Sequence, residues 1–273
     1  MTDVNTDPVH LHVEDTEGAG RPVVLIHGWP LSGAAWEYQV PALTEAGYRV
    51  VTYDRRGFGR SDKTGRQYDY NTLATDLARI LDERDLNDVT LVGFSMGGGE
   101  VARFIALHGE ERLRSIVFAA AVPPYLLKTA NNPEGPLSND EAEKKKKALL
   151  ADRDAFFEEF TTNFFSTTEG IKVSDEERGK AVRQCRESGE AAALGCMDAF
   201  STTDFRDDLK KITVPTLVLH GDADLIVPLE GSGLRTHKAV SGSRLAVIPG
   251  APHGLNVSHA DDFNNALAGF LSK

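Results

Sequence analysis

The residues best suited to chemistry begin at Gly93-Phe94-Ser95-Met96-Gly97. An apolar run, VTLVGF, leads into this pentapeptide and a helix-like run follows it. Glycines flanking a serine between strand and helix mark a sharp turn that lifts the hydroxyl clear of the sheet. The same turn aims the Met96 backbone N–H at a carbonyl oxygen under attack, and the helix N-terminus adds partial positive charge there. A serine hydroxyl is a weak nucleophile without a base. Of the eight histidines, His253 stands in Gly250-Ala251-Pro252-His253-Gly254, between the last apolar run and a closing helix-like stretch. That is where the base of such a site belongs, last in chain order. A third group must orient the imidazole and stabilise its cation. His220-Gly221-Asp222-Ala223-Asp224 offers two carboxylates after another apolar run. Asp224 is the preferred acid. Asp222, the alternative, reads better as a loop anchor accepting backbone N–H groups. Together these residues suit nucleophilic attack on a carboxylic acid derivative.

A second oxyanion donor should come from His27-Gly28-Trp29-Pro30, which follows the run VVLIH. The Trp29 backbone N–H is that donor, and His27 reads as a brace within the loop. Candidate pocket residues are Trp29, Phe94, Val122, Phe164 and Ile226. The stretch from Asp54 to Asp62, DRRGFGRSD, carries cations and glycines. It lacks the Walker lysine and the spacing of a dinucleotide fingerprint, so it reads as a structural turn with internal salt bridges. The remaining histidines match no metal-site motif. Neither a metal nor an organic cofactor is expected.

These residues need elements to hold them. Six consecutive-apolar runs read as buried parallel strands: Val23 to His27, Tyr48 to Tyr53, Val89 to Phe94, Ile116 to Ala121, Thr216 to His220 and Leu245 to Ile248. Val9 to Val13 is a candidate antiparallel edge strand. Helical spacing appears over Thr72 to Arg84, Gly99 to Leu107 and Ala260 to Leu271. Alternating strand and helix predicts an α/β fold, a mostly parallel sheet flanked by helices. From Val122 to Phe205 strand signals give way to a charged, helical stretch that includes Lys144 to Lys147. The predicted division is a core of residues 1–121 and 206–273 with a helical cap inserted at 122–205. The lysine run reads as a solvated helix face.

The 273 residues suffice for one large domain with an insertion. A net charge of −11 argues against nucleic acid as a partner. Two cysteines are too few for a disulfide framework. The polar start and the lack of a long apolar run predict a cytoplasmic protein without a membrane span.

As a set, HGWP, YDRRGFGRSD, LVGFSMGGGEVARF, LVLHGDADLIVP and APHGLNVSHAD resemble the α/β-hydrolase superfamily, and within it the bacterial arylesterases and cofactor-free haloperoxidases (perhydrolases). The resemblance covers nearly the whole chain and is weakest in the cap. It implies an eight-stranded sheet, the triad Ser95, Asp224 and His253, and oxyanion donors at Trp29 and Met96. It implies hydrolysis of small carboxylic esters, often aryl acetates, through an acyl-enzyme. With hydrogen peroxide as acceptor the product is a peracid, which oxidises halide, and Trp29-Pro30 resembles the members with the stronger perhydrolase habit. The expected partners are therefore a small ester or carboxylic acid, peroxide and halide, and the chain is expected to form a homo-oligomer. A lactamase or amidase using the same triad is the alternative within enzymes. A non-catalytic ligand-binding protein of this fold is the alternative outside them.

Overall fold

A computed structural model describes residues 9–272. Its centre is a sheet of seven strands among the described residues, in the order β1-β3-β2-β4-β5-β8-β9. These are β1 (Val13–Asp15), β2 (Pro22–Ile26), β3 (Arg49–Tyr53), β4 (Val89–Phe94), β5 (Leu113–Ala119), β8 (Thr216–Gly221) and β9 (Arg244–Ile248). The β1–β3 pair is antiparallel and every other pair is parallel. Strands β4 and β8 are buried along their whole length, as their unbroken apolar runs require. The sheet thus has one strand fewer than the eight that the family resemblance implies. The edge strand also sits later than expected, at Val13–Asp15. The residues just before it run beside the Asp54–Asp62 turn instead, where the His12 and His10 carbonyls accept from the Asp54 and Asp62 backbone N–H groups.

Helices cover both faces. One face carries α1 (Gln39–Glu45) and α11 (Ala260–Leu271). The other carries α2 (Tyr70–Glu83), α3 (Met96–His108), α8 (Arg206–Leu209) and α9 (Gly233–Ala239). Helix α2 starts where Asp69 accepts from the Asn71 and Thr72 N–H groups, satisfying donors that the first turn leaves free. Between β5 and β8 the chain forms α4 (Asn139–Ala151), α5 (Arg153–Phe164), α6 (Asp175–Glu187) and α7 (Glu190–Thr202). Within this stretch lies a hairpin of two-residue strands, β6 (Ser166–Thr167) and β7 (Gly170–Ile171), too short to leave an apolar signature in the sequence. Helix α4 opens with a capping box between Ser138 and Glu141. A short α10 (Leu255–Ser258) precedes α11. Among the described residues no helix is long and apolar enough to cross a membrane.

Candidate active site

Ser95 sits between β4 and α3 with φ 54° and ψ −118°, a conformation costly for a residue with a Cβ, about 1–3 kcal/mol. The backbone around it supports that strain. Its N–H donates to the Ala119 carbonyl at 2.8 Å, and its carbonyl accepts from Gly98 at 3.1 Å and Val122 at 3.2 Å. The flanking glycines permit close approach. A Cβ on Gly93 would lie 2.5 Å from the Gly97 carbonyl oxygen, and one on Gly97 would lie 2.5 Å from that of Ile26. So α3 packs directly against the ends of β2 and β4.

His253 Nε2 lies 2.9 Å from Ser95 Oγ, and His253 Nδ1 lies 2.6 Å from Asp224 Oδ2. A carboxylate only accepts, so Nδ1 carries the proton and Nε2 is left to accept from the serine hydroxyl. The imidazole is buried between two rings, Phe94 at 5.3 Å and Phe164 at 5.1 Å. Asp224 Oδ1 accepts from the Ile226 and Val227 N–H groups, each at 2.8 Å. Burial pushes the Asp224 pKa up, but the His253 charge and hydrogen bonds from His220 and His253 outweigh it and hold the carboxyl well below the usual range. Asp222 accepts from the Gly250 N–H at 2.6 Å, pinning the loop that leads to His253. The two carboxylates thus occupy separate positions, Asp224 against His253 and Asp222 against the Gly250 N–H.

Gly28 packs against the turn, since a Cβ there would lie 3.1 Å from Ser95 Cβ. This brings the Trp29 backbone beside the serine. Among the described residues neither the Trp29 nor the Met96 backbone N–H donates to a protein acceptor. His27 is buried, with Nδ1 on the Gly28 carbonyl at 2.8 Å and Nε2 accepting from the Arg55 N–H at 3.0 Å. Burial, then the Arg55 cation, keeps it neutral by lowering its pKa well below the usual value. Arg55 also donates to the His27 carbonyl at 2.8 Å and to Glu100 of α3 at 2.8 Å. The Asp54–Asp62 stretch is therefore a braced turn. Arg56 pairs with Asp76, while Asp54 caps the Gly33 and Arg60 N–H groups. The turn ties the loop bearing Trp29 to the helix bearing Met96.

A cavity of about 330 Å³ opens over Ser95 and His253. Trp29, Val122 and Ile226 line it. Phe94 and Phe164, expected on its wall, do not; both are buried behind the imidazole. The aromatic wall comes instead from Phe156 and Phe160 of α5 and Phe200 of α7, edge-on to the Trp29 indole at 5.2–6.1 Å between ring centres. The sequence carried a signal for part of this wall, the i, i+4 stripe of Phe156, Phe160 and Phe164, but spacing alone does not say which ring meets a cavity. His220, which matched no motif, was also missed. Its Nε2 lies 2.8 Å from the Val227 carbonyl and 3.4 Å from Asp224, so it braces the acid loop.

A parallel sheet, a serine on a strained strand-to-helix turn, and a histidine and aspartate from later loops define an α/β hydrolase. The chain belongs to that family: residues 21–260 match the model described as alpha/beta hydrolase fold. A putative non-heme chloroperoxidase from Synechocystis is 45% identical over 269 residues, 98% of this chain and 96% of that protein. A bifunctional esterase/perhydrolase from Acinetobacter calcoaceticus is 35% identical, over 97% of each chain. The crystal structure of a bromoperoxidase from Bacillus anthracis superimposes with a TM-score of 0.95 at 51% identity, covering 98% of both chains.

Proposed function

We propose that this protein is a serine hydrolase that cleaves small carboxylic esters, aryl esters among them, and passes the acyl group to hydrogen peroxide as well as to water. The observation that carries the reading is the unbroken hydrogen-bonded chain Ser95–His253–Asp224 opening onto an aromatic cavity. Ser95 Oγ attacks the ester carbonyl while His253 Nε2 takes its proton. The Trp29 and Met96 amides, free of protein acceptors, stabilise the oxyanion. His253 returns the proton to the leaving alkoxide or phenoxide. Water or peroxide then gives a proton to His253 and attacks the acyl-enzyme. As the adduct collapses, His253 returns that proton to Ser95 Oγ and acid or peracid is released. The relatives' names, esterase/perhydrolase and non-heme chloroperoxidase, support peroxide as acceptor, with halide then oxidised by the peracid.

In this reading residues 122–205 are a cap that shapes the pocket over a core of 1–121 and 206–273. Two buried, unpaired cysteines support a cytoplasmic setting. Ser95→Ala is expected to lower p-nitrophenyl acetate hydrolysis by at least ~10⁴-fold and to abolish labelling by a fluorophosphonate. Retained turnover in that variant would overturn the assignment. Faster cleavage of a γ-lactam than of the acetate would move the enzyme to the amidases, and an unlabelled wild-type Ser95 would point to a ligand-binding protein.

A further inference from the structure

Helix α7 forms part of the wall of the cavity over Ser95. Two contacts show which of its faces meets the Trp29 loop. The Trp29 indole N–H donates to the Ala193 carbonyl at 3.0 Å, and the Phe200 ring stands edge-on to the indole with centres 5.6 Å apart. Met197 follows Ala193 by four residues and precedes Phe200 by three, which puts it on the same helical face. It lines the cavity and is only 4% exposed, so bulk solvent barely reaches it.

The other sulfurs of the described residues stand elsewhere. Met96, Cys185 and Cys196 are fully buried and take no part in the cavity wall. Burial also holds both thiols protonated, which removes their nucleophilic form. A thioether needs no deprotonation. Its polarisable sulfur gives an electron pair to electrophilic oxygen at any pH. Met197 therefore brings an oxidisable sulfur into the chamber where Ser95 holds its acyl group.

We propose that Met197 is oxidised to the sulfoxide by the peracid that Ser95 produces, and that this modification lowers later turnover. The proposal rests on peroxide as an acyl acceptor. Before it escapes, one peracid molecule in a cavity of about 330 Å³ is at a local concentration of about 5 M, far above its concentration in bulk. The Met197 sulfur attacks the outer peroxy oxygen. An S–O bond forms as the O–O bond breaks, and the hydroxyl proton passes to the departing carboxylate. Sulfur is oxidised by two electrons, and the peroxy group is reduced to the carboxylic acid. The sulfoxide oxygen is a polar acceptor in a wall shared with Trp29, Leu126 and Phe160. It therefore disfavours an apolar acyl group there.

The test incubates the protein with peroxide and ethyl acetate and locates added oxygen by peptide mass spectrometry. Fragment ions separate Met197 from Cys196 beside it. Oxygen is expected on Met197 at least about tenfold faster than with peroxide alone, and before Met96. Ser95→Ala should remove that excess, because it makes no peracid. Excess free methionine should leave it in place, because it scavenges only peracid that has escaped. Esterase activity should fall in step with the oxidised fraction. Met197→Leu, similar in volume but without sulfur, should keep a larger share of its own starting activity. Met197 unmodified while peracid accumulates, modification as fast in Ser95→Ala as in wild type, or full protection by free methionine would each overturn the proposal. So would inactivation of Met197→Leu at the wild-type rate. Bromide-dependent bleaching of monochlorodimedone reports escaped peracid and separates the failures. Peracid without sulfoxide removes the modification alone, whereas no peracid at all removes peroxide as an acceptor and the modification with it.

Discussion

Asp224 accepts from two backbone N–H groups on one oxygen and from His253 on the other. A carboxylate so placed fixes which imidazole nitrogen carries the proton, and with it the ability of Nε2 to receive the Ser95 proton. Asp224→Asn keeps the shape but presents an amide that can donate to Nδ1 and so favours the other tautomer. A fall in kcat of about 10⁴-fold is expected, with KM little changed. The same residue sets a pH dependence of stability. Its pKa is depressed in the folded chain, so its contribution is fully present above the unfolded value of about 4 and is lost as pH falls through that value toward the folded one. Urea denaturation of wild type and Asp224→Asn should therefore differ most at neutral pH and converge as the solution is acidified below about pH 4. A gap that stays constant to pH 3 would contradict the depressed pKa.

Between one residue and the next, the site depends on how closely α3 approaches the sheet. Gly93 ends the strand side of that contact with no room for a Cβ beside the Gly97 carbonyl and Gly98 Cα. Gly93→Ala must push the start of α3 outward, and Ser95 and the Met96 N–H move with it. The expected result is about 1–3 kcal/mol of lost stability in urea and a larger proportional loss in kcat than in substrate affinity. An alanine variant with wild-type kcat would show that the turn tolerates the displacement. This contact was legible in the sequence because glycine spacing around a serine encodes backbone proximity. So were α11, matched over Ala260–Leu271, and the buried strands β2, β3, β4, β5 and β8. The run Leu245 to Ile248, expected to be buried, forms the edge strand β9, in which only Ile248 is buried. The pocket wall was not legible. Phe94 closes an unbroken apolar strand, and such a run does not disclose which face each side chain takes. Phe164 belongs to a stripe whose N-terminal members reach the cavity while it turns behind His253. The Lys144–Lys147 run reads as one solvated face, and Lys144, Lys145 and Lys147 are exposed, while Lys146 pairs with Asp198. Spacing alone did not show that Lys144 and Lys145 border the cavity. Tertiary placement, absent from local spacing, decided each case.

At the scale of the whole molecule, the question is whether the helices between β5 and β8 open on their own or only with the sheet. Their ties to the sheet are specific. The Trp29 indole donates to the Ala193 carbonyl at 3.0 Å, and the Gly189 N–H donates to that of Gly57 at 2.7 Å. Phe205 packs edge-on to Tyr70 of α2 with centres 4.8 Å apart. The two thiols report on these ties, because Cys185 lies in the last turn of α6 and Cys196 in α7, both fully buried. Burial pushes both thiols up, Cys196 to about 12, so neither is a thiolate near neutrality. Neither should react with Ellman's reagent in the native protein. Along a urea titration, both should become reactive together with the loss of far-UV circular dichroism, since α7 is bonded to the very loop that carries Trp29. Reaction of one or both thiols at lower urea, with the sheet signal intact, would reveal a separate opening of the helical segment. Pocket access would then be governed by that opening, and the thiol reaction rate and the turnover of bulky esters should rise together with temperature.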